Sequence, residues 1–167
     1  MSPDAGAEAA RRALGWVGTP YVHQASCRGV GADCLGLVRG VWRELHGKEP
    51  AAVPAYAADW AESGAPGLLE AGLWRHLTPR PVTDEAPGDV LLFRLRPGGA
   101  GRHLGMQTAC GAVPRFVHAY SGHGVVESVL TPPWRRRLIA RFAFQPRPGV
   151  APVDGAAPRP GPAFEME

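Results

Sequence analysis

The sequence has little lysine, little cysteine and no long apolar segment, and each shortage excludes a class of protein. Lys48 is the only lysine, so arginine supplies nearly all the positive charge behind the net charge of +3. The three cysteines, Cys27, Cys34 and Cys110, include no CxxC pair, which argues against a disulfide framework or a structural zinc cluster. No stretch approaches the roughly 20 apolar residues of a membrane helix, so we expect no membrane span.

The N-terminal segment also lacks the apolar core of a signal peptide. Asp4 and Glu8 place acidic side chains where such a core would begin. The odd number of cysteines is typical of a reducing compartment. We therefore expect synthesis in a reducing cytoplasm without a signal peptide, and delivery by a route other than Sec if the substrate lies outside.

Length and composition favour one loop-rich domain. A chain of 167 residues is long enough to bury a core, and its 22 glycines and 18 prolines indicate many turns. We expect a domain over residues 1–145. Residues 146–167 hold six prolines and few large apolar side chains, which predicts a Pro-rich tail suited to docking.

Helical periodicity dominates the first third of the chain. Asp4 to Val17 predicts a helix with Asp4 as its cap and an apolar face that includes Leu14 and Val17. The clearest pattern follows Asp33, where apolar residues recur at three- and four-residue spacing up to His46-Gly47. Residues 50–81 predict an irregular excursion with helical stretches at residues 56–62 and 67–73.

Beyond Pro87-Gly88 the period becomes that of strands. Five runs are separated by turn residues, at 89–95, 103–110, 115–119, 125–130 and 138–144. We interpret them as an antiparallel meander of about five strands. Helices first and a sheet afterwards give an α+β fold class.

Cys34 is the candidate nucleophile because it lies at the predicted start of a helix, with Asp33 as the cap. Unpaired backbone N–H groups and the positive end of the helix dipole would face its sulfur. We expect these groups to lower the thiol pKa in spite of the neighbouring carboxylate, and to stabilise an oxyanion.

Two histidines could complete the chemistry. His103 opens a predicted strand directly after a glycine-rich loop, and His118 lies 15 residues later on the next predicted strand. A hairpin would bring the two rings within hydrogen-bond reach, as a general base and the group that orients it.

Four short blocks carry a specific resemblance. They are Gly18-Thr19-Pro20-Tyr21-Val22, Asp33-Cys34-Leu35-Gly36-Leu37-Val38, His103-Leu104-Gly105-Met106 and Phe116-Val117-His118-Ala119. Together and in this order they resemble the motif blocks of the NlpC/P60 cysteine peptidases, over roughly residues 8–144. The likeness is strongest to the phage-type branch found in the tails of phages and gene transfer agents.

The resemblance implies a papain-like core and a cell-wall substrate. Family members typically hydrolyse the amide between D-γ-glutamyl and a diamino acid in peptidoglycan stem peptides. Carried over by position, Cys34 is the nucleophile, His103 the base and His118 the orienting residue. Tyr21 would line the pocket and assist the oxyanion, and Asp33 could contact a substrate amine. The resemblance implies no metal and no cofactor.

Leu35 departs from the pattern, because many relatives carry serine there to help hold the free amino end of the peptide. The exact bond therefore stays open. Two alternatives also stay open: a mainly structural tail or hub component that uses the fold for docking to other tail proteins, and another Cys/His amidase or acyltransferase.

Nucleic-acid binding is a weaker interpretation. Arg135-Arg136-Arg137 and the sequence pI near 9.1 favour polyanions in general. The run lacks a recognised motif and interleaved aromatic residues, and such runs usually form a solvated face. We expect no specific nucleic-acid partner.

Overall fold

Helices precede a sheet, as the change of sequence period predicts. The computed structural model describes residues 3–50 and 67–144, so the Pro-rich tail and the helical stretch at 56–62 lie outside the described residues. The elements are α1 (Pro3–Leu14), β1 (Ser26–Cys27), β2 (Gly31–Ala32), α2 (Cys34–His46), α3 (Leu68–His76), β3 (Thr78–Arg80), β4 (Val90–Arg94), β5 (Gly101–Ala109), β6 (Arg115–Tyr120), β7 (Gly124–Val129), α4 (Pro132–Arg137) and β8 (Leu138–Ala143). No helix among these residues is long and apolar enough to cross a membrane.

The main sheet has six strands in the order β3-β8-β4-β5-β6-β7, and every neighbouring pair is antiparallel. Strands β4 to β7 form the predicted meander. The prediction of an antiparallel sheet of about five strands is confirmed, and β3 adds a sixth strand. The simple succession of a meander is wrong, because β8 returns to lie between β3 and β4. β3 contains Pro79 and only three residues, so it gave no alternating pattern and lies at a sheet edge, where proline is tolerated.

The first helix differs from its prediction in its bounds and its buried face. α1 already includes Asp4 and ends at Leu14, so Asp4 is not its cap. Leu14 and Val17 are 39% and 47% exposed, whereas Trp16 is buried. Trp16 packs against Gly40 of α2, where a Cβ atom would lie 2.0 Å from the indole ring. This contact turns the chain after α1 and directs Val17 outward.

Alternation along the strands gives the sheet two apolar faces. One face carries the larger core and packs against α1, α2 and α3, with β5 contributing Leu104 and Met106. The other face holds a smaller cluster with Phe93 and Phe116, and α4 covers it through Trp134. Cys34 packs against the larger cluster, whereas His103 and His118 lie beside Phe93 and Phe116 of the smaller one.

A buried ion pair stabilises the second face farther along the strands. The Arg141 guanidinium donates to Asp89 at 3.0 Å and also to the side-chain oxygen of Gln107. All three side chains are buried. Because one partner alone would be an uncompensated buried charge, this group requires β4, β5 and β8 to keep their register.

Candidate active site

The nucleophile candidate lies at the first residue of α2, as the periodicity predicts. Asp33 is the N-cap, and its Oδ1 accepts a hydrogen bond from the Gly36 N–H at 2.7 Å. Its Oδ2 accepts another from the Gln24 N–H at 2.8 Å. Asp33 is only 3% exposed, so its carboxylate first of all fixes the helix start and the preceding loop.

The loop before α2 is held close to the helix by small residues. A Cβ atom on Gly36 would lie 1.8 Å from the Ala25 carbonyl oxygen, so only glycine fits there. Gln24 has a φ of 63°, a left-handed conformation that its N–H bond to Asp33 helps to maintain. The loop can therefore pack directly against the first turn of α2, which carries the thiol.

Backbone N–H groups face the sulfur of Cys34, as expected at a helix start. They belong to Leu104 on β5, to Leu35 and to Cys34 itself, and each lowers the thiol pKa. Leu104 follows His103, so this contact places the thiol beside the backbone that carries the base candidate. The arrangement joins α2 to β5 at the site.

The expectation of a lowered thiol pKa is wrong for the free protein. Burial raises the pKa of Cys34 to about 11, and the nearby Asp33 carboxylate also raises it. Cys34 is partly exposed, yet so many protein atoms surround its sulfur that loss of hydration outweighs the backbone donors. Cys34 is therefore a neutral thiol near pH 7.

The two histidines meet as the strand prediction requires. Nε2 of His103 and Nδ1 of His118 are 2.9 Å apart, and the rings are nearly perpendicular. Nε2 of His118 lies 2.9 Å from Oγ of Ser128 on β7. The three side chains therefore form a chain across β5, β6 and β7, and Nδ1 of His103 is the ring nitrogen outside it.

An aromatic cluster encloses the histidine pair. The Trp134 ring centroid lies 5.7 Å from that of His103 and 5.3 Å from that of His118, and Phe93 and Phe116 complete the surroundings. Burial lowers the pKa of His103 to about 3 and that of His118 to about 4. Both rings are neutral near pH 7, which leaves each one a nitrogen lone pair.

Tyr21 lies beside the thiol, as its place in the first sequence block predicts. Its backbone forms an isolated β-bridge with Ala32, and its side chain packs against the larger core, as does that of Cys34. Burial and the neighbouring Cys34 and Asp33 raise the pKa of the Tyr21 phenol. The phenol therefore stays protonated near neutral pH and can donate a hydrogen bond.

Solved structures, and not sequence comparisons, identify the architecture. No family model matches the sequence, and no curated protein matches it either. Solved structures do match, among them the NlpC/p60 domain of the peptidoglycan hydrolase SagA, at 22% identity and a TM-score of 0.54 over 83% of this chain and 98% of that one. This chain has the NlpC/P60 fold.

Two larger proteins share the NlpC/P60 fold. A protein of the NLP/P60 family from Staphylococcus aureus, described as similar to a lipoprotein, is 20% identical over 86% of this chain, with a TM-score of 0.55. An NlpC/P60 family protein from Bacillus cereus is 18% identical over 87%, with a TM-score of 0.58. The match spans only 42% and 41% of those two chains.

Two site residues escaped prediction from the sequence. Ser128 lies in a strand run, and nothing in its neighbourhood distinguished it from a solvent-facing serine. Trp134 precedes a run of arginines that suggested a solvated face, and the short helix that carries it was not predicted. Within residues 3–50 and 67–144, no group of three or more His, Cys, Asp or Glu side chains is placed to hold a metal ion.

Proposed function

We propose that this protein is a cysteine endopeptidase that hydrolyses an amide bond in the stem peptides of bacterial peptidoglycan. The observation that carries the proposal is the 2.9 Å contact between His103 and His118, together with the backbone N–H of Leu104, one residue after His103, which donates to a thiol at a helix start. The NlpC/P60 fold supports the substrate class, because one neighbour with this fold is a peptidoglycan hydrolase by name. Four ordered sequence blocks support the same assignment.

The proposed first half-reaction is acyl transfer to sulfur. Nδ1 of His103 takes the thiol proton while Sγ of Cys34 bonds to the carbonyl carbon. Backbone N–H groups at the start of α2 and the Tyr21 hydroxyl stabilise the oxyanion. The carbon–nitrogen bond then breaks, His103 returns its proton to the leaving amine, and a thioester remains.

Hydrolysis completes the cycle. His103 removes a proton from water as the oxygen attacks the thioester carbon, and it then protonates the departing sulfur. The products are an amine and a carboxylic acid, and the neutral thiol is restored. The same ring nitrogen serves in both halves, so the tautomer of His103 is decisive.

We propose that Ser128 acts as the hydrogen-bond acceptor for His118, which fixes that tautomer. When the Nε2–H of His118 donates to Oγ of Ser128, Nδ1 of His118 is the acceptor, and Nε2–H of His103 donates to it. Nδ1 of His103 is then unprotonated and able to act as the base. The opposite direction of donation would place a proton on that nitrogen and disable it.

We further propose the D-γ-glutamyl–diamino acid bond as the target and a phage or gene transfer agent tail as the setting. Both rest on the resemblance of the sequence blocks. Mass spectrometry of purified particles should detect the protein among the tail components. Its absence from the particles would overturn the tail setting without touching the chemistry.

The decisive experiment compares three purified proteins on peptidoglycan: the parent, Cys34→Ala and Cys27→Ala. Cys27 is an exposed free cysteine on β1, which makes its variant a matched control. We expect the parent and Cys27→Ala to release fragments that end in D-glutamate, identified by mass. Cys34→Ala should release none. Equal release by Cys34→Ala would refute the thiol mechanism.

A further inference from the structure

Four arginines surround one cleft on the side of α4. The cleft measures about 320 Å³ and is lined by Arg94, Arg96, Arg136 and Arg137, with Leu95, Pro97 and Pro133 between them. The first two arginines come from the end of β4 and its loop, and the other two from the last turn of α4. No carboxylate lies among the lining residues.

The four arginines are largely exposed, but they converge on one cleft from two separate elements. Arg135, in the same helical turn, is paired with Glu85 at 2.7 Å and does not line the cleft. The Arg137 guanidinium lies 5.8 Å from the Trp134 ring centroid, which restricts its position. Four guanidinium groups around one cleft create a positive potential that attracts anions.

We propose that this cleft binds the phosphodiester groups of an anionic polyol-phosphate polymer of the cell wall. Guanidinium groups match phosphate oxygens with paired donors, and four of them exceed the need of a single carboxylate. The volume is at the lower end for ligand sites and suits one repeating unit.

The lining residues argue against nucleic acid as the occupant. Single-stranded nucleic acids bind to basic grooves that also present aromatic rings to the bases. No aromatic residue lines this cleft, and Trp134 instead lies between Arg137 and the histidine pair. The ligand would therefore be held by charge and paired donors alone.

Trp134 also connects the cleft to the proposed active site. Its ring contacts His103 and His118 on one side and Arg137 on another. A polymer held at the cleft would keep the cell wall beside the catalytic histidines. The choice of a cell-wall polymer rests on the proposed function, whereas binding itself requires no catalysis.

The test measures binding of a synthetic glycerol-phosphate oligomer to the full chain carrying Cys34→Ala, by calorimetry at several salt concentrations. The cleft variant is Arg136→Gln with Arg137→Gln. The control is Arg11→Gln with Arg75→Gln, which removes the same charge from exposed helix positions outside the cleft. We expect Kd to rise at least tenfold for the cleft variant and less than twofold for the control.

Binding of two other polyanions shows whether the cleft prefers a polyol-phosphate polymer. Oligothymidylate of equal charge should bind no more tightly than the glycerol-phosphate oligomer, because the cleft offers no aromatic ring to its bases. Polyglutamate should bind at least tenfold more weakly, because carboxylates replace the phosphodiester groups. Absence of oligomer binding, equal losses in the cleft and control variants, or tighter binding of either competing polymer would overturn the proposal. Cleavage of stem peptides by the parent protein, measured separately, reports on the proposed function alone.

Discussion

Replacement of Ser128 by alanine removes a single oxygen atom and so tests the proposed path of the proton. In Ser128→Ala the Nε2 of His118 loses the hydroxyl 2.9 Å away, and His118 itself is only 2% exposed. Leaving a buried polar group unpaired costs about 1–3 kcal/mol. If this cost falls on the productive tautomer, kcat/KM should drop roughly 5- to 150-fold, since about 1.4 kcal/mol is tenfold.

The assay is release of the amine from a synthetic stem peptide, with kcat and KM measured separately. We expect the loss in kcat, because Ser128 acts through His118 and contacts no substrate in the proposal. Ser128→Thr keeps the hydroxyl and should retain most activity. Thr108→Val removes an exposed hydroxyl that bonds to Glu127 on β7, and it should leave kcat unchanged.

Nitrogen NMR of the imidazole rings measures the tautomers directly. A loss of folding stability alone would not change them. The parent should show His103 protonated at Nε2, and Ser128→Ala should show a mixture of tautomers. A variant with parental kcat and an unchanged tautomer would refute the reasoning.

The remaining predictions concern stability. Because burial lowers the pKa of His103 and His118 from 6.5 to about 3 and 4, the unfolded chain binds protons that the folded protein does not, so the free energy of unfolding should fall as pH drops below about 6.5. Urea titrations at pH 7 and 5 measure this, and a double His→Gln variant should lose most of the slope; an equal slope would contradict it. Gly40→Ala should cost about 1–3 kcal/mol because its methyl group would overlap Trp16. Gly72→Ala, in a helix with open space around the position, should instead stabilise by up to about 1 kcal/mol, and thermal melts that rank the two glycine variants otherwise would exclude this account.

The sequence predicts most elements of this fold because their periods are strong. α2 is confirmed from Cys34 to His46, and β4 to β8 agree with the predicted strand runs to within two residues at each end. The pairing of strands is harder to predict, since the sequence of a strand does not show which strand lies beside it. The return of β8 to β4 depends on α4 and on the buried Arg141–Asp89 pair, and neither follows from periodicity.

The sequence predicts which residues form the candidate site, but it does not predict their pKa values. Cys34, His103 and His118 could be named because a helix start and two adjacent strands place them at defined positions. Their pKa values depend on how many atoms surround each group, which only the packed structure reveals. Position at a helix start suggested a lowered thiol pKa, whereas burial reverses the sign.

That reversal bears on how the proposed reaction begins. Charging the Cys34 thiol alone is unfavourable because burial raises its pKa, and charging His103 alone is unfavourable because burial lowers its pKa. Transfer of one proton from Sγ to Nδ1 creates both charges together, and at low dielectric their attraction offsets part of each desolvation cost. The charge on sulfur is then consumed as the bond to carbon forms. The proposed reaction therefore starts from a neutral thiol and a neutral imidazole, and proton transfer and nucleophilic attack belong to one step. The aromatic rings around the histidines favour this route because they disfavour a preformed ion pair.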